Sequence, residues 1–215
     1  EDFDQAIPAL PDTPVQLDGL KEIRIELEHQ ATDYVDSIYC RFRDHIATLS
    51  LDAMGNIVVQ KLLERGDLQR RLDICELLSP HLASLSCHKN GTWMVQKFIS
   101  LASNATDSRD LRHLLMSSLQ PYLVALLKDQ FGNYVVQGCL GLGQCARVLL
   151  ECLAKRGVDL AKTRFGARAM KSVLEPLSSR HYDQQYYSAI VEPLRGNLVD
   201  LMGNPHGALL LSFLL

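Results

Sequence analysis

The amino-acid sequence predicts an all-α protein built as an array of helical repeats. Three observations carry that expectation. Five short strings align along the chain: Gly55-Asn-Ile-Val-Val-Gln60, Gly91-Thr-Trp-Met-Val-Gln96, Gly132-Asn-Tyr-Val-Val-Gln137, Gly166-Ala-Arg-Ala-Met-Lys171 and Gly207-Ala-Leu-Leu-Leu-Ser212. A leucine stands six residues before every one of these glycines: Leu49, Leu85, Leu126, Leu160 and Leu201. Between the strings the apolar residues recur with helical spacing, as at Leu123, Leu126 and Leu127, and no segment sustains the alternation of a strand.

The glycines lie 36, 41, 34 and 41 residues apart, the period of helical solenoids. Nine residues before them stand Ile46, Leu82, Leu123 and Leu198, with Gly157 the exception. Each unit reads as helix, turn, motif helix and a further helix. Tyr134, Val135 and Gly138 continue one helix and Val148, Leu149, Leu150 and Leu153 begin the next. Pro80, Pro121 and Pro193 are expected just before or at helix starts, where the missing N–H costs nothing. The motif glycine is expected to let two helices approach closely. The two longer intervals place inserted loops around Ser103 to Asp110 and Ser178 to Gln185.

Ahead of the first clear unit, residues 1–16 read as irregular, with a Pro-containing stretch from Ile7 to Pro14. Residues 17–44 read as two amphipathic helices, Leu17 to Gln30 and Ala31 to Arg43, a degenerate repeat or an array cap. Residues 45–215 form the repeat array. The apolar stretch Leu209 to Leu215 needs a cover, supplied either by further repeats of a longer native chain or by a second copy in a homodimer.

Composition excludes little and directs more. Hydrophobic residues make up 47% and charged residues 22%, ordinary for a globular chain. No run reaches the roughly 18 apolar residues of a spanning helix, and the acidic start Glu1-Asp2-Phe3-Asp4 is unlike a signal peptide. The six cysteines form no CxxC pair and no zinc-finger spacing with histidine, so they read as reduced thiols packed in helices. No Walker loop, GxSxG elbow, HExxH string or metal-ligand cluster is present, so neither an enzyme nor a cofactor or metal is expected. The net charge is −3. Windows from five residues before to ten after each glycine hold nine Lys and Arg against four Asp and Glu, a net +5, which leaves −8 for the rest. A basic strip on an acidic body suits a phosphate backbone.

The residues after the glycines carry the chemistry. Asn56 with Gln60, Asn133 with Gln137, and Thr92 with Gln96 are spaced i, i+4, on one helix face. Paired amides can read the Watson–Crick edge of a base. Ile57, Trp93 and Tyr134 between them offer surfaces for stacking. A bare packing array of the HEAT or armadillo kind accounts for the apolar pair in each string but not for the recurrent Asn-x-x-x-Gln.

Phe131-Gly-Asn-Tyr-Val-Val-Gln137 resembles the hallmark string of Pumilio/FBF (PUF) repeats, and Gly55-Asn-Ile-Val-Val-Gln60 resembles it with Ile at the stacking position. His88-Lys-Asn-Gly-Thr-Trp93, Phe165 to Lys171 and Asn204 to Leu211 are similar to strings of a fungal subgroup of that family. The resemblance runs from Ala31 to Leu215. It implies a right-handed α-solenoid of about five to six three-helix repeats forming a curved arc, with single-stranded RNA on the concave face and its 5′ end toward the C-terminus. It further implies that Asn56/Gln60 and Asn133/Gln137 read uracil and that Thr92/Gln96 reads adenine, a 5′-U-A-U-3′ core. Ile57, Trp93, Tyr134 and Arg168 would stack on bases. Lys89, Arg164, Lys171 and His206 would make auxiliary or phosphate contacts. The implied role is a cytoplasmic regulator bound to mRNA 3′ untranslated regions, lowering translation or stability with regulatory protein partners. The competing reading is a protein-binding solenoid scaffold, to which the Ala167/Arg168/Lys171 and Ala208/Leu209/Ser212 units are indifferent.

Overall fold

The computed structural model describes residues 3–10, 18–106, 108–178 and 184–214, and among them every regular element is helical. The chain divides into two compact units, residues 7–119 and residues 1–6 with 120–215.

The first unit holds α1 (Leu20–His29), α2 (Thr32–Phe42), α3 (Ile46–Leu49), α4 (Gly55–Arg65), α5 (Leu68–Leu78), α6 (Leu82–Ser86), α7 (Gly91–Asn104) and α8 (Arg109–Leu119). Short 3-10 turns, Arg43–His45 and Ser79–His81, lead into α3 and α6. The second unit opens with the 3-10 turn Gln120–Tyr122 and α9 (Leu123–Lys128). It continues through α10 (Gly132–Cys139), a 3-10 stretch Leu140–Ala146, and α11 (Arg147–Ala161). Then follow α12 (Arg164–Ser178), α13 (Gln184–Gly196), α14 (Leu198–Met202) and α15 (Pro205–Leu214). The motif glycines open α4, α7 and α10 and lie in the first turn of α12 and α15.

The Leu-to-Gly spacing has a steric cause. A Cβ on Gly55 would stand 2.4 Å from the Leu49 carbonyl oxygen, and on Gly166 the same distance from that of Leu160. At Gly91 and Gly207 the carbonyls of Leu85 and Leu201 would be met at 2.6 Å, and at Gly132 that of Leu126 at 2.9 Å. Backbone cannot yield as a side-chain tip can, so each helix-turn-helix closes only around glycine. The five leucine side chains are buried, as is the apolar pair three and four residues past each glycine, from Val58 and Val59 to Leu210 and Leu211. Burying one such side chain fully contributes about 1.5–3 kcal/mol.

Gly157, the exception nine residues before a glycine, sits inside α11, which runs unbroken where the first three repeats interrupt the helix with a 3-10 turn. A Cβ there would come within 3.1 Å of Met170 Cε, so this glycine makes room for a side chain of α12. Pro80 and Pro121 lie in the 3-10 turns as expected, but Pro193 lies inside α13. The expected loop after Ser103 is narrower than read, because α7 continues to Asn104 and α8 starts at Arg109. Residues 11–17, with the expected helix start at Leu17 and the end of the irregular stretch, lie outside the described residues. So do Asp107, residues 179–183 of the second expected loop, and Leu215. Val199, Met202 and Leu209 are the most exposed apolar side chains of α14 and α15. No helix among the described residues is long and apolar enough to cross a membrane.

Candidate nucleic-acid interface

The site begins at the turn before each motif helix. The residue three before the glycine is polar in all five units, and its side chain holds the turn. Asp52 Oδ1 accepts from the backbone N–H groups of Met54 and Gly55 at 2.8 and 2.7 Å, and Asp129 Oδ1 from those of Phe131 and Gly132, both at 2.8 Å. Asn204 Oδ1 accepts from His206 and Gly207 at 2.9 and 3.1 Å, and Thr163 Oγ1 from Gly166 at 3.2 Å. In the second repeat His88 Nδ1 takes this place, accepting from Asn90 and Gly91 at 3.3 Å each. Burial, with the Lys89 charge beside it, holds the His88 imidazole below its ordinary range, which keeps the ring a neutral acceptor. These caps satisfy N–H groups that the helices leave unpaired. None of these capping side chains is among the expected site residues, although a polar residue at one fixed offset in five repeats is a visible signal.

The expected base-edge pairs do come together, with unequal roles. Asn133 Nδ2 donates to the carbonyls of Asp129 and Gln130 at 2.8 and 3.0 Å, and its Oδ1 accepts from Gln137 Nε2 at 2.9 Å. Asn56 repeats this with Asp52, Ala53 and Gln60 at 2.9, 2.8 and 2.9 Å. Thr92 Oγ1 accepts from Gln96 Nε2 at 3.0 Å. Asn133, Thr92 and Asn56 are 0%, 3% and 5% exposed, whereas the three glutamines are half-buried. The glutamine is therefore the outward member of each pair. Two carbonyl acceptors fix which end of each asparagine amide faces the turn, and so fix which end of the glutamine faces the asparagine. A threonine hydroxyl both donates and accepts, so it leaves the Gln96 amide free to reverse.

The stacking candidates stand beside these pairs. Trp93 is 63% and Tyr134 37% exposed, while Ile57 is half-buried. Arg168 is exposed, and its guanidinium lies 4.9 Å over the Tyr134 ring, so the positions expected to stack from α10 and α12 already face each other.

The basic strip is less even than the sequence count implied. Lys61 pairs with Glu64 at 3.1 Å and Glu28 at 3.5 Å, Lys97 pairs with Glu64 at 2.7 Å, and Lys162 pairs with Asp200. Arg65 donates to the carbonyls of Leu27 and Gln30. Those cations serve the packing of neighbouring helices, which a linear count cannot see. Positive charge gathers instead on α12. Arg164, Arg168 and Lys171 are exposed there and line a groove of about 600 Å³ with His206, Leu209 and Phe213 of α15. The Lys171 ammonium lies 5.1 Å over the Phe213 ring. Leu209 and Phe213 were not among the expected site residues. Lys89 is exposed in the turn before α7.

A family model described as "Pumilio-family RNA binding repeat" matches residues 45–79, 81–106 and 122–145. A Pumilio domain-containing protein of Schizosaccharomyces pombe, P35G2.14, is 33% identical over 198 residues, covering 91% of this chain and 18% of the relative. The mRNA-binding protein PUF2 of Saccharomyces cerevisiae is 31% identical over 159 residues, covering 73% of this chain and 14% of the relative. Among solved structures, the PUM-HD domain of S. pombe Puf1 in complex with RNA superposes with a TM-score of 0.82 at 33% identity, over 96% of this chain and 55% of that one. The chain thus spans less than a fifth of these two relatives and just over half of that solved domain.

Proposed function

We propose that this chain, which belongs to the Pumilio (PUF) family, binds single-stranded mRNA through the exposed faces of its motif helices and reads a short U-A-U core. The observation that carries this reading is the threefold recurrence of one local device. In α4, α7 and α10 a buried Asn or Thr orients a half-exposed Gln, and a residue able to stack stands beside it. A packing array has no use for three oriented amides at its surface.

The glutamine is the reader and its partner sets the reading. Asn56 and Asn133 hold Gln60 and Gln137 in one orientation and suit one donor–acceptor pattern, that of uracil. Thr92 lets Gln96 turn to meet adenine. A base on Tyr134 would enter between that ring and the Arg168 guanidinium. Arg164, Lys171 and His206 serve the phosphate backbone, because no amide pair exists on α12 or α15. Lys89 adds a further phosphate contact. The chain carries this activity in the cytoplasm, on 3′ untranslated regions, as part of the control of translation or mRNA stability.

Fluorescence anisotropy at fixed salt tests the reading, with a U-A-U-containing 10-mer RNA, the same RNA with each U changed to C, and matched DNA. Each U-to-C change should weaken binding about tenfold or more, and Gln137→Ala should abolish discrimination at one of the two positions. Equal affinity across the panel would reduce the role to backbone binding, and no affinity would favour a protein scaffold.

A further inference from the structure

Residues 3–5 belong to no repeat, yet they are held as a bound peptide is held. The Phe3 side chain is buried, 4% exposed. Its carbonyl accepts from the Val124 N–H at 3.0 Å, and the Gln5 N–H donates to the Pro121 carbonyl at 2.9 Å. The main chain is therefore gripped in both directions by the segment that leads into α9. The Lys155 ammonium lies 5.4 Å over the Phe3 ring, and the Asp4 carboxylate pairs with the Arg156 guanidinium. Lys155 and Arg156 are successive residues of α11, so one helix supplies a cation for the ring and another for the acid.

We infer that this α9–α11 surface is a docking site for an extended aromatic–acidic peptide of a partner protein, and that Phe3-Asp4 occupies it in cis. Each contact names a feature of the ligand. The two main-chain bonds require an extended backbone of any sequence, as when a peptide adds to a sheet edge. The cation over a buried ring selects an aromatic side chain, and Arg156 selects a carboxylate beside it. Asp4, Gln5 and Ala6 are exposed, so the segment can leave without breaking a helix. Tethering gives it a high effective concentration, which a partner must match or exceed. None of these residues is among those proposed to meet RNA, so the two readings stand or fall separately.

The test uses the full chain carrying Phe3→Ala and a fluorescein-labelled peptide of sequence Glu-Asp-Phe-Asp-Gln-Ala-Ile-Pro. The peptide should bind this variant at least about tenfold more tightly than the unaltered chain, whose site is filled. Adding Arg156→Glu, or replacing the peptide's Phe with Ala, should remove binding. Asp4→Lys provides a second variant that keeps the buried ring while loosening the segment, and it should also bind the peptide more tightly than the unaltered chain. If neither variant binds the peptide while at least one melts cooperatively, or if the unaltered chain binds it equally well, the segment is a structural staple and the docking site is refuted.

Discussion

Helices α10 and α12 open on the same kind of turn and then part company. Both carry a glycine whose Cβ would strike the carbonyl of a leucine six residues earlier, and both turns are held by a side chain three residues before that glycine. In α10 the next residue is Asn133, which turns its amide into the capped turn and holds Gln137 outward. In α12 the same place is Ala167, which can hold nothing, and Lys171 leans on Phe213 instead. One scaffold thus presents a directional hydrogen-bonding group in one unit and undirected charge in another. The scaffold lies in the steric contact, and the chemistry in two side chains that steric contact leaves free to vary.

Breaking what the two helices share should cost most. Gly55→Ala and Gly166→Ala, where the carbonyl would stand at 2.4 Å, should each destabilise the chain by about 3 kcal/mol, measured by urea denaturation. Gly132→Ala, at 2.9 Å, should cost less. Gly203→Ala, whose nearest neighbour would lie at an ordinary 3.5 Å, should be neutral or gain a few tenths of a kcal/mol.

Removing what only α10 has should cost less in stability and more in selectivity. Asn133→Ala strips two part-buried carbonyls of a donor and should destabilise by about 1 kcal/mol. It should also release the Gln137 amide and flatten U-over-C preference at its position. Gln137→Ala should flatten the preference while leaving the denaturation midpoint nearly unchanged. The converse exchange, Ala167→Asn with Lys171→Gln, should create a new base preference in α12, read by the same anisotropy titration.

The charge of α12 should appear in the salt dependence. Arg164→Ala and Lys171→Ala should each lower the slope of log affinity against log salt by about 1, whereas Gln137→Ala should not alter it. The smallest effect concerns His88. Its pKa is lowered in the folded state by burial and by Lys89. The folded state therefore favours the neutral ring. Its contribution is fully present above the ordinary histidine range and is lost as pH falls toward the depressed folded value. Melting curves at successive pH values should show a part of the acid loss that vanishes in His88→Asn, whose amide oxygen accepts the same bonds without titrating in that range.

Much of this architecture is legible in the sequence alone. The Leu-to-Gly spacing recurs because a backbone collision enforces it, and a constraint that local leaves its mark in every unit. The polar cap three residues before the glycine is equally local and equally readable. The i, i+4 spacing places Asn133 toward a base, and the turn instead draws its amide inward. That outcome depends on where the carbonyls of Asp129 and Gln130 point, a matter of three-dimensional geometry that residue spacing does not carry.

Helix periodicity, repeat length and the positions of the amide pairs were set by short-range chemistry, within the reach of a few residues, and so were written in the sequence. Which cations remain free was decided only by tertiary packing. Lys61 and Lys162 are engaged by Glu28 and Asp200, more than thirty residues away in the chain, while Arg168 finds Tyr134 on another helix. The burial of Phe3 against α9 and α11 spans a still greater separation. Such pairings depend on how folded helices bring distant residues together, and a linear pattern records only what neighbours along the chain impose on each other.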